Sequence, residues 1–233
     1  MIRTSFVSSF AALSVLTLGF GCTPPSDSGG DGEEEQIDEG PPSSYADNGY
    51  PNILDENADY TGDGSDRRDF IHTFDMVDQH GNRVDFRQFL GYVTILDVSA
   101  EWCPPCRAAA ETAQEVSDAI QALGPAYYVQ VISQDNAGEP AVQSTAARWS
   151  NDFDLDLPVL ADEGELFMEQ IGLESFPTFF VVRPTGEIDR RQGGALSDQQ
   201  IVAWVEYLLD DEANNLREIP GWPDPDAEHD EEE

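Results

Sequence analysis

Cys103 and Cys106, set two residues apart in Trp102-Cys103-Pro104-Pro105-Cys106, are the side chains whose types and spacing most directly specify a reaction. The alanine-rich run from Pro104 to Leu123, closed by Gly124-Pro125, reads as a helix, so the motif opens that helix. The first turn of a helix leaves backbone N–H groups unpaired, and these groups together with the helix dipole favour a thiolate over a thiol. Cys103 is therefore the expected nucleophile. Cys106, one turn further in, can attack the Cys103 sulfur and so resolve a mixed disulfide formed with a substrate.

Two other uses of such a pair are a zinc half-site and a purely structural bridge. Zinc takes four ligands, and the rest of the chain supplies only Cys22 and the scattered His72, His80 and His229, so no second half-site exists and no metal is expected. A purely structural bridge around so small a loop removes little chain entropy. Dithiol–disulfide exchange is the reading that remains, and it needs no cofactor.

The elements that must hold the motif can be read on both sides of it. Val93-Thr94-Ile95-Leu96-Asp97-Val98 is a β-branched run suited to a buried parallel strand leading straight into the cysteines. Upstream, Phe70 to Val77 and Asn82 to Phe86 flank Gln79-His80-Gly81 as a hairpin, followed by a helical turn through Gln88 to Leu90. Downstream, a strand is predicted at Tyr127 to Ile132, a helix at Pro140 to Trp149 and a helix at Glu165 to Ile171. A strand at Thr178 to Val182, the turn Arg183-Pro184-Thr185-Gly186 joining two antiparallel strands, and a terminal helix at Asp198 to Leu209 complete the order. Alternating strands and helices imply an α/β fold, a central mixed sheet with helices on both faces.

The ends read differently from the middle. Arg3, the apolar stretch Phe6 to Phe20 and small Gly21 before Cys22 have the layout of a secretory signal, and the stretch is too short and too often interrupted by hydroxyl residues for a membrane span. Leu18-Gly19-Phe20-Gly21-Cys22 resembles a bacterial lipoprotein box, with Gly19 standing where Leu is usual, and the resemblance implies lipidation of Cys22 after removal of residues 1–21. Residues 22–66 are read as an acidic tether, 67–209 as the folded domain and 210–233 as an acidic tail. Within 22–66 an oxygen-rich stretch read from Asp59 has Gly64 where a calcium loop wants glycine, but Phe70 where it wants a bidentate glutamate.

Net charge is −36, and all eleven basic residues are arginines. So acidic a chain is not expected to bind nucleic acid or anionic headgroups.

The segment Asp97-Val98-Ser99-Ala100-Glu101-Trp102-Cys103-Pro104-Pro105-Cys106-Arg107 resembles the active-site segment of thioredoxin-like proteins, with Trp102 and both cysteines matching directly. The resemblance places Asp97 where that family keeps a buried acid, a plausible general base for the Cys106 thiol. Ser175-Phe176-Pro177-Thr178 resembles the family's cis-proline loop; by that likeness Pro177 faces Cys103 and Phe176 and Trp102 contact an extended substrate peptide. Pro104 and Pro105 occupy the positions that tune redox potential. An inserted strand–helix unit around Ile132 to Trp149, and Gly81-Asn82-Arg83-Val84-Asp85 with Phe89-Leu90-Gly91, resemble the TlpA/ResA branch over about residues 70 to 209. That likeness implies an envelope protein on the periplasmic or extracytoplasmic side. Such proteins usually reduce protein disulfides with electrons from a membrane donor of the thiol–disulfide type.

Rival functions leave other marks. A peroxiredoxin needs Thr and Pro three and seven residues before its nucleophile, where Ala100 and Leu96 stand. A copper-delivery protein of related fold resembles a CxxxC pair plus a later histidine, and a surface adaptor would not require Trp102, Cys103, Cys106 and Pro177 together.

Overall fold

The computed structural model describes residues 48–54 and 57–215. In chain order its elements are β1 (Asp75–Asp78), β2 (Arg83–Asp85), a 3-10 turn (Phe86–Phe89), β3 (Val93–Ala100), α1 (Pro104–Leu123) and β4 (Ala126–Gln134). Then come α2 (Gln143–Phe153), β5 (Val159–Ala161), a 3-10 turn (Glu163–Glu165), α3 (Leu166–Gln170), β6 (Thr178–Val182), β7 (Ile188–Gly193) and α4 (Asp198–Asn215). Among the described residues, seven strands form one mixed sheet in the order β2-β1-β5-β4-β3-β6-β7. β3 runs parallel to β4 and antiparallel to β6, so the strand that ends at the cysteine motif lies inside the sheet with neighbours on both sides.

All eight residues of β3 are buried, as a strand covered on both faces must be. Its side chains alternate between two cores. Val93 and Ile95 join Cys106, Ala110, Ala113, Trp149, Val205 and Leu208, which places α1, α2 and α4 on one face. Leu96 and Val98 join Phe86, Phe89, Phe167, Ile171 and Phe180 on the other, where, among the described residues, the short α3 and the first 3-10 turn supply the helical cover.

That imbalance explains one departure from expectation. Residues 48–54 and 57–66, anticipated as part of a tether, lie against the thinly covered face. Tyr50 and Tyr60 pack on the second core, Asn48 donates to the Arg83 carbonyl and Gln88 at 2.8 and 3.0 Å, and the Tyr60 hydroxyl donates to the Ile71 carbonyl at 2.7 Å. Low apolar content hid this role, because tyrosine rings, polar side chains and backbone carbonyls make the contacts.

Three further differences concern element bounds. The hairpin strands are shorter than expected and begin at Asp75, with the preceding residues in irregular structure. The inserted unit is a helix followed by a strand: β4 is continuous from Ala126 to Gln134, and β5, only three residues long, enters the sheet between β1 and β4 after α2. α4 continues to Asn215, past the expected start of the acidic tail. The signal segment 1–21, the Cys22 site and the tail beyond Asn215 lie outside the described residues.

Candidate active site

Cys103 is the N-cap of α1 and Pro104 and Pro105 fill its first turn. Proline suits those positions because its fixed φ is helical and its missing N–H would have no intrahelical partner there. The Cys103 Sγ accepts a hydrogen bond from the Cys106 backbone N–H at 3.3 Å, so the N-cap role that serine or aspartate usually fills is taken by sulfur. The two cysteines are joined in a disulfide with Cα atoms 5.3 Å apart. Cys103 is 2 % exposed and Cys106 fully buried, so access from solvent is to the Cys103 side of the pair.

Asp97 lies on the face of β3 shared by Val93 and Ile95, the face that carries Cys106. It is fully buried. Its carboxylate accepts hydrogen bonds from Ser99 Oγ (2.7 Å), Gln130 Nε2 (2.9 Å) and the Tyr128 hydroxyl (3.2 Å). Burial pushes the Asp97 carboxyl above the usual carboxylate range, while those three donors pull it back. The group is thus a proton acceptor stronger than an ordinary aspartate, held in a fixed position. Gln130 is itself oriented by Trp149, whose indole N–H donates to its Oε1 at 2.9 Å, so the inserted helix α2 reaches the buried acid through one glutamine.

The Phe176–Pro177 peptide bond is cis, and Pro177 is buried at the start of β6. β6 runs antiparallel to β3 with Thr178 opposite Val98, which brings Pro177 alongside the end of β3 that leads to Cys103. The Pro177 carbonyl accepts the Gly194 N–H at 2.8 Å, fixing the loop to the end of β7. Trp102 is 47 % exposed, and its ring meets that of the half-buried Phe176 edge to face at 5.8 Å. Thus Trp102, Cys103, Cys106, Phe176 and Pro177 converge at one end of β3 and β6, with Asp97 in the strand behind. Pro104 and Pro105 are exposed on the helix start.

Two charged residues at the site were not singled out by the sequence. Glu101 is 1 % exposed, yet carries a carboxylate next to Trp102. Arg148 of α2 meets it with two bonds, Nε to Oε1 at 2.8 Å and a terminal nitrogen to Oε2 at 2.6 Å, and the Asn136 N–H adds a third at 3.0 Å. The pair closes across 47 residues, and nothing local in either segment announces it. Arg107 lies over the rings of Trp149 and Phe153, at 5.7 and 5.0 Å, tying the first turns of α1 to α2.

Comparison with known proteins agrees with this geometry. ResA, a thiol–disulfide oxidoreductase of Halalkalibacterium halodurans, is 24% identical over 135 residues, covering 58% of this chain and 73% of its own. The sporulation thiol–disulfide oxidoreductase A of Bacillus subtilis is 25% identical over 116 residues, 50% of this chain and 68% of its own. Among solved structures, a thioredoxin-family thiol:disulfide interchange protein of Chlorobium tepidum superposes with a TM-score of 0.51 at 20% identity, over 65% of this chain and 99% of that one, and shows the same fold. The AhpC/TSA family model matches residues 68–191, more than half of the chain. The chain is a thiol–disulfide oxidoreductase of thioredoxin-like fold and belongs to the AhpC/TSA family.

Proposed function

We propose that the chain is an extracytoplasmic disulfide reductase of the cell envelope, held to the membrane through a lipid on Cys22 and acting on protein disulfides through Cys103 and Cys106. In the reduced enzyme the Cys103 thiolate attacks one sulfur of a substrate disulfide; that S–S bond breaks, and the departing sulfur leaves as a thiolate that takes up a proton. Asp97 accepts the proton of the Cys106 thiol. The Cys106 sulfur then displaces the substrate from Cys103, closing the Cys103–Cys106 disulfide and releasing the second substrate thiol. The substrate gains two electrons and two protons, and a membrane donor of the thiol–disulfide class restores the enzyme dithiol by the reverse exchange.

The observation that carries this reading is the Cys103–Cys106 pair at the N-terminus of α1 with a buried acid on the same face of the sheet. A peroxidase reading has less support, because Leu96 and Ala100 are fully buried apolar residues of β3 and offer no hydroxyl to a peroxide.

The test is a redox titration of the protein with glutathione and dithiothreitol, run beside Cys103→Ser and Cys106→Ser. One two-electron transition that both variants abolish is expected, at a potential reducing enough to open protein disulfides. Cys106→Ser is expected to accumulate a mixed disulfide with substrate through Cys103. Failure of the two cysteines to pair reversibly at any potential overturns the proposal.

A further inference from the structure

Around the cysteines runs a polar relay that the exchange chemistry does not use. The Trp102 indole N–H donates to Gln134 Oε1 at 2.9 Å, and Gln134 Nε2 donates to Glu165 Oε1 at 2.6 Å. Gln134 is the last residue of β4, and Glu165 lies in the turn between β5 and α3, so three separate segments meet beside the aromatic edge of the site.

Glu165 is held there at a cost. It has φ 58°, a left-handed conformation that a residue with a Cβ seldom adopts, directly after Gly164 at φ 76°. Strain of this kind persists only where the surroundings over-determine it. Here the buried Asp162 does so: its carboxylate accepts from the Phe167 and Met168 N–H groups, both at 2.9 Å, and from Ser133 Oγ at 3.2 Å, while its carbonyl accepts the Glu165 N–H at 3.0 Å. Next in the chain, Leu166 is 71 % exposed. The turn therefore presents a fixed, half-buried carboxylate and a bare apolar side chain, with Glu163 and Glu169 exposed close by in sequence.

Two arginines beside the cysteine motif have partners within the fold. Arg107 lies over Trp149 and Phe153, and Arg148 is bonded to Glu101. Glu163 and Glu169 are exposed and Glu165 is half-buried on this turn, in a chain of net charge −36.

We propose that Glu165, held by the relay to Trp102, is a specificity-determining residue that selects protein disulfides flanked by cationic residues, with Leu166 as an apolar neighbour for the same segment. The inference rests on the exchange reading above and adds the class of substrate. A lysine or arginine beside the target cysteine would meet Glu165 Oε2 while its backbone lies along Phe176 and Pro177. Anionic segments would be repelled by the same rim.

The test measures reduction of cyclic disulfide peptides by the reduced full-length protein, the peptides differing only in whether lysine, serine or glutamate flanks the cysteines. The expected order of kcat/KM is lysine, serine, glutamate, with about threefold to fivefold between lysine and serine at low salt. That gap narrows as ionic strength shortens the screening length. Glu165→Gln keeps the oxygen that Gln134 bonds, and is expected to bring the lysine-to-serine ratio close to one; Glu165→Lys is expected to favour the glutamate peptide. A wild-type protein that reduces the serine peptide without preferring lysine, or a preference that survives both substitutions, overturns the assignment while leaving exchange intact. If none of the three peptides is reduced, the exchange reading fails and takes this inference with it.

Discussion

The indole of Trp102 stands edge-on to the ring of Phe176, with centroids 5.8 Å apart and planes at 84°. One residue precedes Cys103, the proposed nucleophile, and the other precedes the cis-proline, so this contact bridges the two loops that the proposed function assigns to the substrate chain. An edge-to-face pair is worth about 0.5–1.5 kcal/mol beyond the area it buries. Phe176→Ala removes both the platform and the support for Trp102, and a fall in kcat/KM of about threefold to tenfold for peptide disulfides is expected from that magnitude. A small disulfide reagent, which has no chain to lay across the rings, should be affected less. Equal losses for both substrates would mean that Phe176 acts on the cysteines and not on the peptide.

Asp97 yields a prediction in which stability and rate move in opposite directions. Its folded-state pKa is raised by burial, so the free energy it contributes is fully present below the ordinary carboxylate value of about 4 and is lost as pH rises through the raised folded value. Wild-type protein therefore loses stability at this group as pH rises from about 4 to 7, a loss that Asp97→Asn, which does not titrate, escapes. The variant should melt about 2–4 °C higher than wild type at pH 7, and the gain should vanish near pH 4. Its resolving step should slow by about 100-fold, since a positioned base is lost. Stopped-flow release of substrate thiol and thermal melts at the two pH values check both halves. An unaltered resolving rate would remove Asp97 from the proton path.

Glu101 and Arg148 form the bond that fixes the inserted helix to the cysteine motif. Glu101 is almost wholly buried, whereas the Arg148 side chain is 46% exposed, so the pair is partly screened. Arg148→Ala leaves a buried carboxylate with only the Asn136 N–H as partner, and a loss of about 1–3 kcal/mol is expected. Adding Glu101→Gln to that variant removes the unpaired charge and should recover part of the loss. Urea denaturation of the two singles and the double gives the coupling. Purely additive losses would show that the two residues do not act as a pair.

The parts of this molecule that sequence discloses are those whose signals are local. β3, α1 and β6 are a run rich in β-branched residues, an alanine-rich run ending at Gly124-Pro125 and a mostly apolar pentapeptide, and their observed bounds differ from expectation by at most two residues. The cysteines, Pro177 and Asp97 sit on or beside these three elements, which is why most of the candidate site could be named beforehand. β5 is too short to carry a pattern, and its place is set by the free edge that β4 offers it. Glu101–Arg148 and Trp102–Gln134–Glu165 join residues more than 30 positions apart through single side chains, and no periodicity encodes such a contact. Residues 48–54 and 57–66 escaped for a related reason: composition measures how much apolar surface a segment has, and not whether a facing surface lacks cover.

That last segment supplies a prediction about folding. Tyr50 packs edge to face on Phe89, with centroids 5.9 Å apart, and its hydroxyl donates to the buried Asp78 carboxylate at 3.1 Å. Tyr60 lies against Phe86 at 5.9 Å, and its hydroxyl reaches the carbonyls of Ile71 and Gly186, joining the hairpin region to the turn before β7. Burial pushes both phenols well above their ordinary pKa, so neither ionises in the physiological range and both keep their donor protons. A chain beginning at residue 67 would expose Phe86 and Phe89 and leave Asp78 without one donor, and it should be less stable than a chain beginning at residue 48 by about 3–5 kcal/mol. The two chains can be compared by their urea midpoints, with Tyr60→Phe and Tyr50→Phe in the longer one to separate hydroxyl bonds from ring burial. Ring burial should account for most of the difference, because each hydroxyl bond is worth about 1 kcal/mol and each ring covers a core aromatic residue. Coincident midpoints for the two chains would return residues 48–66 to the status of a tether.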